Sequence, residues 1–490
     1  MQPLSSNPVL YEINTFVWLG ELSRKYQRPV VLGQVPDAEW AYLADLGVEL
    51  VWLMGVWERS PMGLALVRNN PVAILEFKQM LPDYHTEDLA GSPYSVRRYT
   101  VDSRIGGNAG LAQERAKLAG HGIRLILDYV PNHVAPDHPW TQDHPEYFVQ
   151  GNPRDLEMDP ESYINIGPNV IARGRDPNFP AWMDVVQLNA FHPGLRQATQ
   201  DTILSIAQKC DGMRVDMAML LLNRIFALTW GPSAGPVPED EYWPGILQSV
   251  KSACPGTLFI AETYWDTERE LLDQGFDYCY DKPTYDHLKD HDAGKLTEHL
   301  DRTALYQSKL VHFIENHDEQ RAATAFPVGY WRAAALASAT LPGMRMFHQG
   351  QFDGRQTRVS VLLRRHPEEE SDTIVTRFYE QLVHIISQPP IQNGKWSPCV
   401  LLDEHGNTLP HCLAWMWESA GSTRVVMVNL SHRAMTGWLE VSTVEGLTRG
   451  TLQEVWEGDE TYPAIITEHA ARCLLTLAPY GGRVFNLRIE

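Results

Sequence analysis

The sequence predicts an α/β chain: a (β/α)8 TIM barrel carrying a small all-β domain at its C-terminal end. Three observations predict it. Eight short apolar runs alternate with helical patterns, several of those runs end in a carboxylate, and closely spaced strand patterns take over after about Lys395. The length agrees. At about 150 residues per domain, 490 residues give roughly three domains, and one barrel of roughly 250 residues or more with a small appendage fits equally well.

The runs are taken in order. Val9 to Ile13 is the first and Val48 to Leu53 the second, with a helical stretch from Asp37 to Leu46 between them. Ile123 to Asp128 follows the helical pattern Ala109 to Ala119, and Gly212 to Asp216 follows Gly194 to Lys209. Leu258 to Glu262, the weaker Phe276 to Tyr280, Leu310 to Asn316 and Met344 to Phe347 complete the eight. Strands alternating with helices imply a parallel sheet with right-handed crossovers, and eight of them imply closure. Insertions from Trp57 to about Tyr99 and from Val134 to about Met183 are expected to shape substrate access over the catalytic face. Residues 1–395 are therefore read as the barrel, with 134–183 as a short domain B, and residues 396–490 as a β-sandwich.

Composition narrows the function. Hydrophobic residues make up 44% and charged residues 21%, ordinary for a globular chain. A formal charge of −20 argues against a general nucleic-acid binder, which needs a basic surface. The six cysteines, Cys210, Cys254, Cys279, Cys399, Cys412 and Cys473, form no C-x-x-C pair, so free thiols in a reducing compartment are expected. The first residues show neither a basic n-region nor an apolar h-region, and the longest near-apolar stretch, Ala333 to Met344, is too short to span a membrane. A cytoplasmic, soluble protein with no membrane partner is expected. The oligomeric state is left open.

Asp128, Asp216, Glu262 and the Asn316-His317-Asp318 run all lie at strand ends. In a parallel barrel those ends form the floor of the active site. Converging carboxylates carry a repulsion and desolvation cost that a purely structural protein has no reason to bear. Asp216 and Glu262 end consecutive strands and form a candidate pair for retaining glycoside chemistry, one attacking and the other passing the proton. Arg214 shares a face with Asp216, so its guanidinium is expected to lower the Asp216 pKa and keep it ionised. Glu262 must start protonated, which calls for a less polar site. Asp318 is the candidate stabiliser of an oxocarbenium-like transition state, and His133 and His317 the candidate donors to sugar hydroxyls.

These segments together resemble the α-amylase family of retaining α-glucan-active enzymes, glycoside hydrolase family 13. Asp128-Tyr-Val-Pro-Asn-His133 is similar to the family's first conserved segment and Gly212-Met-Arg-Val-Asp-Met-Ala218 to the second, with the nucleophile. Ala261-Glu-Thr263 is similar to the third, with the acid/base, and Phe313-Ile-Glu-Asn-His-Asp318 to the fourth, with the transition-state stabiliser. The carboxylates follow one another at 88, 46 and 56 residues, spacings the family accommodates. Val186-Gln-Leu-Asn189 resembles an accessory segment, and Ser92-Pro-Tyr-Ser-Val96 would place Tyr94 beneath the reacting sugar. The resemblance implies Asp216, Glu262 and Asp318 as catalytic residues. It implies Tyr94, Asp128, His133, Arg214 and His317 as substrate-binding ones.

Two departures bear on substrate. Met219 and Leu220 stand where many family amylases have a Lys-His pair contacting the leaving-group sugar, which favours a different acceptor subsite. No Asp-rich loop follows the first strand, and the 134–183 insertion is short for one that clasps calcium. No cofactor is expected. Calcium is the one candidate, through Asn132, whose other role would be to tie down its own loop. The expected activity is hydrolysis of α-glucosidic bonds in short α-glucans or maltooligosaccharides. The alternatives are transfer or isomerisation, with a sugar or phosphate as acceptor, and a catalytically dead scaffold.

Overall fold

The computed structural model describes residues 3–419, 421–442, 450–456, 458–466 and 470–489. Eight parallel strands close into a barrel: β1 (Val9–Asn14), β2 (Leu50–Met54), β3 (Arg124–Tyr129), β4 (Gly212–Val215), β5 (Leu258–Ala261), β6 (Tyr278–Tyr280), β7 (Leu310–His312) and β8 (Met344–His348). Each pairs with its neighbours in sequence order, and β8 returns to β1 with Val9 opposite Arg345. Every residue of β2 is buried, as expected of a strand covered on both faces. The expected strand limits hold to within about two residues except at β7. There the apolar run to Asn316 leaves regular structure after His312, and Phe313 to Asn316 continues as a buried, irregular segment.

Helices lie between the strands where their signals fell. The Asp37–Leu46 helix opens with Asp37 and Glu39 in its first turn, where the helix dipole favours negative charge. It stops at Gly47, whose φ of 94° is left-handed. The first insertion forms a two-stranded ribbon, Trp57–Arg59 with Val96–Val101, around two short helices. The second is tied to the barrel rim by His133–Val134 pairing with Val186–Gln187.

Among the described residues after 394, nine antiparallel strands form one sheet. The sheet's two edge strands are Lys395–Pro398 and Val400–Leu402, separated in sequence by Cys399 alone. The sheet must therefore curl over on itself, around a core that includes Leu401, Met416, Val425, Leu439, Leu475 and Phe485. The strand Cys412–Ser419 shows no buried–exposed alternation because both its faces are covered. Cys412, Ala414 and Met416 face that small core, while Leu413, Trp415 and Trp417 join the barrel's core. Trp417 also donates its indole N–H to the Thr340 carbonyl at 2.9 Å, fixing the two parts together.

All six cysteines are free thiols. Among the described residues, no helix is long and apolar enough to cross a membrane.

Candidate active site

Arg214 is the centre of the site. It lies on β4, 1% exposed, in register with Asp128 on β3 and Ile260 on β5. One terminal nitrogen, Nη1, donates a 2.6 Å hydrogen bond to Asp216 Oδ1. The other, Nη2, makes an ion pair with Glu262 Oε2 at 2.7 Å. The rings of Trp52, Tyr94 and Tyr280 surround the guanidinium at 5.1, 5.4 and 5.8 Å. Such packing holds a buried cation against aromatic faces and fixes its plane. The two carboxylates that the sequence placed on consecutive strands thus share one cation.

Backbone geometry supports this pair. Asp216 N–H donates to the Tyr129 carbonyl at 2.8 Å, and Met217 follows in the left-handed region at φ 43°. That conformation is costly for a residue with a side chain, and such strain gathers at functional sites. Here it turns the Met217 N–H toward Glu262 Oε2, at 2.6 Å. The Tyr264 hydroxyl donates to the other oxygen, Oε1, at 3.0 Å.

Charge is distributed unevenly. Burial pushes Glu262 up to about 7, against the pull of Arg214 and with help from the charges of Asp216 and Asp318. Burial also raises Asp216, and here the expectation from sequence needs correcting. Arg214 is in contact and pulls the value down, but desolvation of a carboxylate this deeply buried outweighs it. Asp318 is the most open of the three, with 43% of its side chain exposed. Desolvation works against its charge, but the adjoining His317 more than offsets this and holds the carboxyl below its ordinary range.

His317 sits between acids. Its Nε2 lies 2.9 Å from Asp318 Oδ2 and 2.6 Å from the Tyr94 hydroxyl. Its Nδ1 lies 2.5 Å from Glu12 Oε1. Desolvation opposes a charge on the ring, but Asp318 and Glu12 push it up to about 10, so the imidazolium persists at neutral pH. Tyr94 is stacked beside His317 at a ring distance of 5.5 Å.

Asp128 and His133 are placed differently. Asp128 Oδ1 accepts from the Trp52 indole at 3.1 Å and Oδ2 from Gly55 N–H at 2.7 Å, across the strand ends of β2 and β3. Gly55 needs its glycine for this, at φ 76° with Pro93 only 2.7 Å from where a Cβ would sit. Burial pushes Asp128 up to about 6 despite Arg214 and these donors. His133 is buried against Trp182, and burial lowers it to about 3, leaving the ring neutral. Asn132 exchanges side-chain hydrogen bonds with Gln187 at 2.9 and 3.2 Å, tying its loop to the insertion. Among the described residues, no three His, Cys, Asp or Glu side chains are grouped to hold a metal ion. Met219 and Leu220 are buried, so neither presents a polar contact to a sugar.

Glu12, Trp52, Tyr264 and Tyr280 went unread as participants in the sequence. Glu12 had a visible signal, a lone acid inside the apolar run Val9 to Ile13. The two tyrosines had none, because their contacts depend on how loops and strands meet in space.

A family model described as "Alpha amylase, catalytic domain" matches residues 38–374. An alpha-amylase of Haloarcula japonica is 25% identical over 361 residues, 68% of this chain and 43% of that protein. An alpha-1,4-glucan:maltose-1-phosphate maltosyltransferase of Burkholderia pseudomallei is 25% identical over 280 residues, 54% of this chain and 21% of that one. The chain thus spans less than half the length of these curated relatives. Among solved structures, a maltogenic alpha-amylase from Thermotoga neapolitana superposes with a TM-score of 0.68, at 16% identity and covering 98% of both chains. The Nostoc punctiforme debranching enzyme does so with a TM-score of 0.69, at 16% identity and covering 99% and 100%. At these identities the structures speak for the fold, while the family model extends over most of the barrel: this chain belongs to the alpha-amylase family, glycoside hydrolase family 13.

Proposed function

We propose that this protein is a retaining enzyme acting on α-glucosidic bonds of short α-glucans or maltooligosaccharides. The observation that carries the reading is one guanidinium, Arg214, shared by Asp216 and Glu262, with Asp318 charged nearby. Two carboxylates sharing one cation lie close together. A double displacement needs them at roughly 5–5.5 Å, whereas a single displacement leaves roughly 6.5–9.5 Å for a water between them.

Asp216 is assigned as nucleophile. It receives a 2.6 Å hydrogen bond from Arg214, whereas Arg214 meets Glu262 only as an ion pair, and burial raises Glu262 to about 7 despite its Met217 and Tyr264 donors, which keeps the proton on Glu262. Asp216 attacks the anomeric carbon as Glu262 passes its proton to the departing glycosidic oxygen. Glu262, now a carboxylate, then takes a proton from the incoming water or acceptor hydroxyl, and that oxygen displaces Asp216. Asp318 stabilises the positive charge that develops between these states. Neutral His133 donates to a sugar hydroxyl, and His317 does so by turning its Nε2–H from Asp318 and Tyr94 to the sugar, with Tyr94 packed under the ring. Asp128, with both oxygens already engaged, shapes the floor beneath them.

A second reading, transfer to a sugar or phosphate, has one observation in its favour. The turn just after the nucleophile carries the buried, apolar Met219 and Leu220 rather than a cationic pair. The two readings share the covalent stage and differ only in what attacks it. Maltose, maltotriose, trehalose, sucrose and maltose 1-phosphate, each with and without inorganic phosphate or a second sugar, separate them by chromatography. In either case proton NMR of the early reaction is expected to show the α-anomer first. Initial β-anomer would contradict the retaining mechanism.

A further inference from the structure

We propose that Tyr264 is a positioning residue for the acid/base: its hydroxyl holds Glu262 Oε1 as the oxygen that exchanges the proton and stabilises the carboxylate once the proton has left. The inference rests on the reading of Glu262 given above and adds to it. Glu262 Oε2 is already engaged by the Met217 N–H at 2.6 Å and by Arg214 at 2.7 Å. Oε1 is left to carry the working proton, and among the described residues its one hydrogen-bond partner is the Tyr264 hydroxyl at 3.0 Å.

The loop after β5 is built to keep this contact. Trp265 and Asp266 are consecutive non-glycine residues in the left-handed region, at φ 61° and 56°. They reverse the chain straight after Tyr264. Thr267 Oγ1 donates to the Tyr264 carbonyl at 2.7 Å and lies 2.6 Å from Thr263 Oγ1, and both threonines are fully buried. Two strained residues between two buried anchors mark a turn whose shape is fixed by what it presents.

The chemistry follows from where the proton goes. Before reaction Oε1 bears it. As the glycosidic bond breaks, the proton moves to the leaving oxygen and Oε1 becomes anionic, so a donor beside it is worth most at that moment. Tyr264 therefore assists the first displacement most for poor leaving groups. The other groups facing Glu262 are Arg214 on β4, Asp216 just after β4, Asp318 after β7, and Tyr280 on β6.

Tyr264→Phe tests this in the full chain. The variant is expected to lose about three- to tenfold more rate on maltotriose than on α-glucosyl fluoride, as for one lost hydrogen bond. Without the donor, Glu262 holds its proton more tightly, so the basic limb of kcat/KM moves up by about 0.5–1 in pH. Tyr264→3-fluorotyrosine keeps the shape with a stronger donor and is expected to move the limb down. Equal losses on both donors with an unmoved limb in both variants overturn the assignment of Tyr264. If Glu262→Ala itself shows no leaving-group dependence, the reading of Glu262 fails instead.

Discussion

Asp216→Asn is expected to lower turnover of every α-glucoside by about four to six orders of magnitude, as losses of a covalent nucleophile do. The amide keeps the side-chain volume, so the fold should persist. It cannot form the glycosyl ester, and it weakens a charge-assisted hydrogen bond from Arg214 of 2.6 Å. Removing that charge also removes one of the two repulsions on Glu262, leaving burial as the main force that keeps Glu262 protonated. Circular dichroism and thermal melting separate loss of chemistry from loss of fold. Activity within tenfold of the parent would remove Asp216 from the mechanism.

Glu262→Ala is expected to act selectively. Donors with poor leaving groups need protonation and should slow by roughly a hundred- to ten-thousand-fold. An α-glucosyl fluoride does not need it and should still form the covalent intermediate. Azide, attacking without a general base, should then restore turnover of that intermediate. In the parent, Glu262 must be protonated to act, so kcat/KM should fall as pH rises through about 7. Glu262→Ala removes the group that titrates, so the basic limb that the parent shows on maltotriose should be absent from the variant's residual activity. Equal slowing of both donors without azide rescue would make Glu262 structural.

The barrel was legible because its signals are local. Apolar runs such as Val48 to Leu53 bury whole strands, and Asp128, Asp216 and Glu262 fall where strands meet the catalytic face. The convergence of Arg214 with Asp216 and Glu262 could be anticipated from strand order and the two-residue side-chain period. The sign of the Asp216 shift could not. It is a balance of burial against Arg214, and burial is a property of the assembled site. The end of β7 was misplaced for a related reason: Phe313 to Asn316 is as buried as a strand without pairing as one. Glu12 was overlooked because it was counted as part of an apolar run, although a fully buried acid needs a partner. Its partner, His317, lies 305 residues away.

The central claim is a covalent bond between Asp216 and the sugar. Treating the parent enzyme with a fluorinated glucosyl fluoride slows breakdown of that bond, and peptide mass spectrometry then locates it. A single glucosyl adduct on the peptide containing Asp216, absent from Asp216→Asn, is the result this account predicts. An adduct on Glu262 or Asp318, or turnover of the reagent with inversion and no adduct, would contradict it.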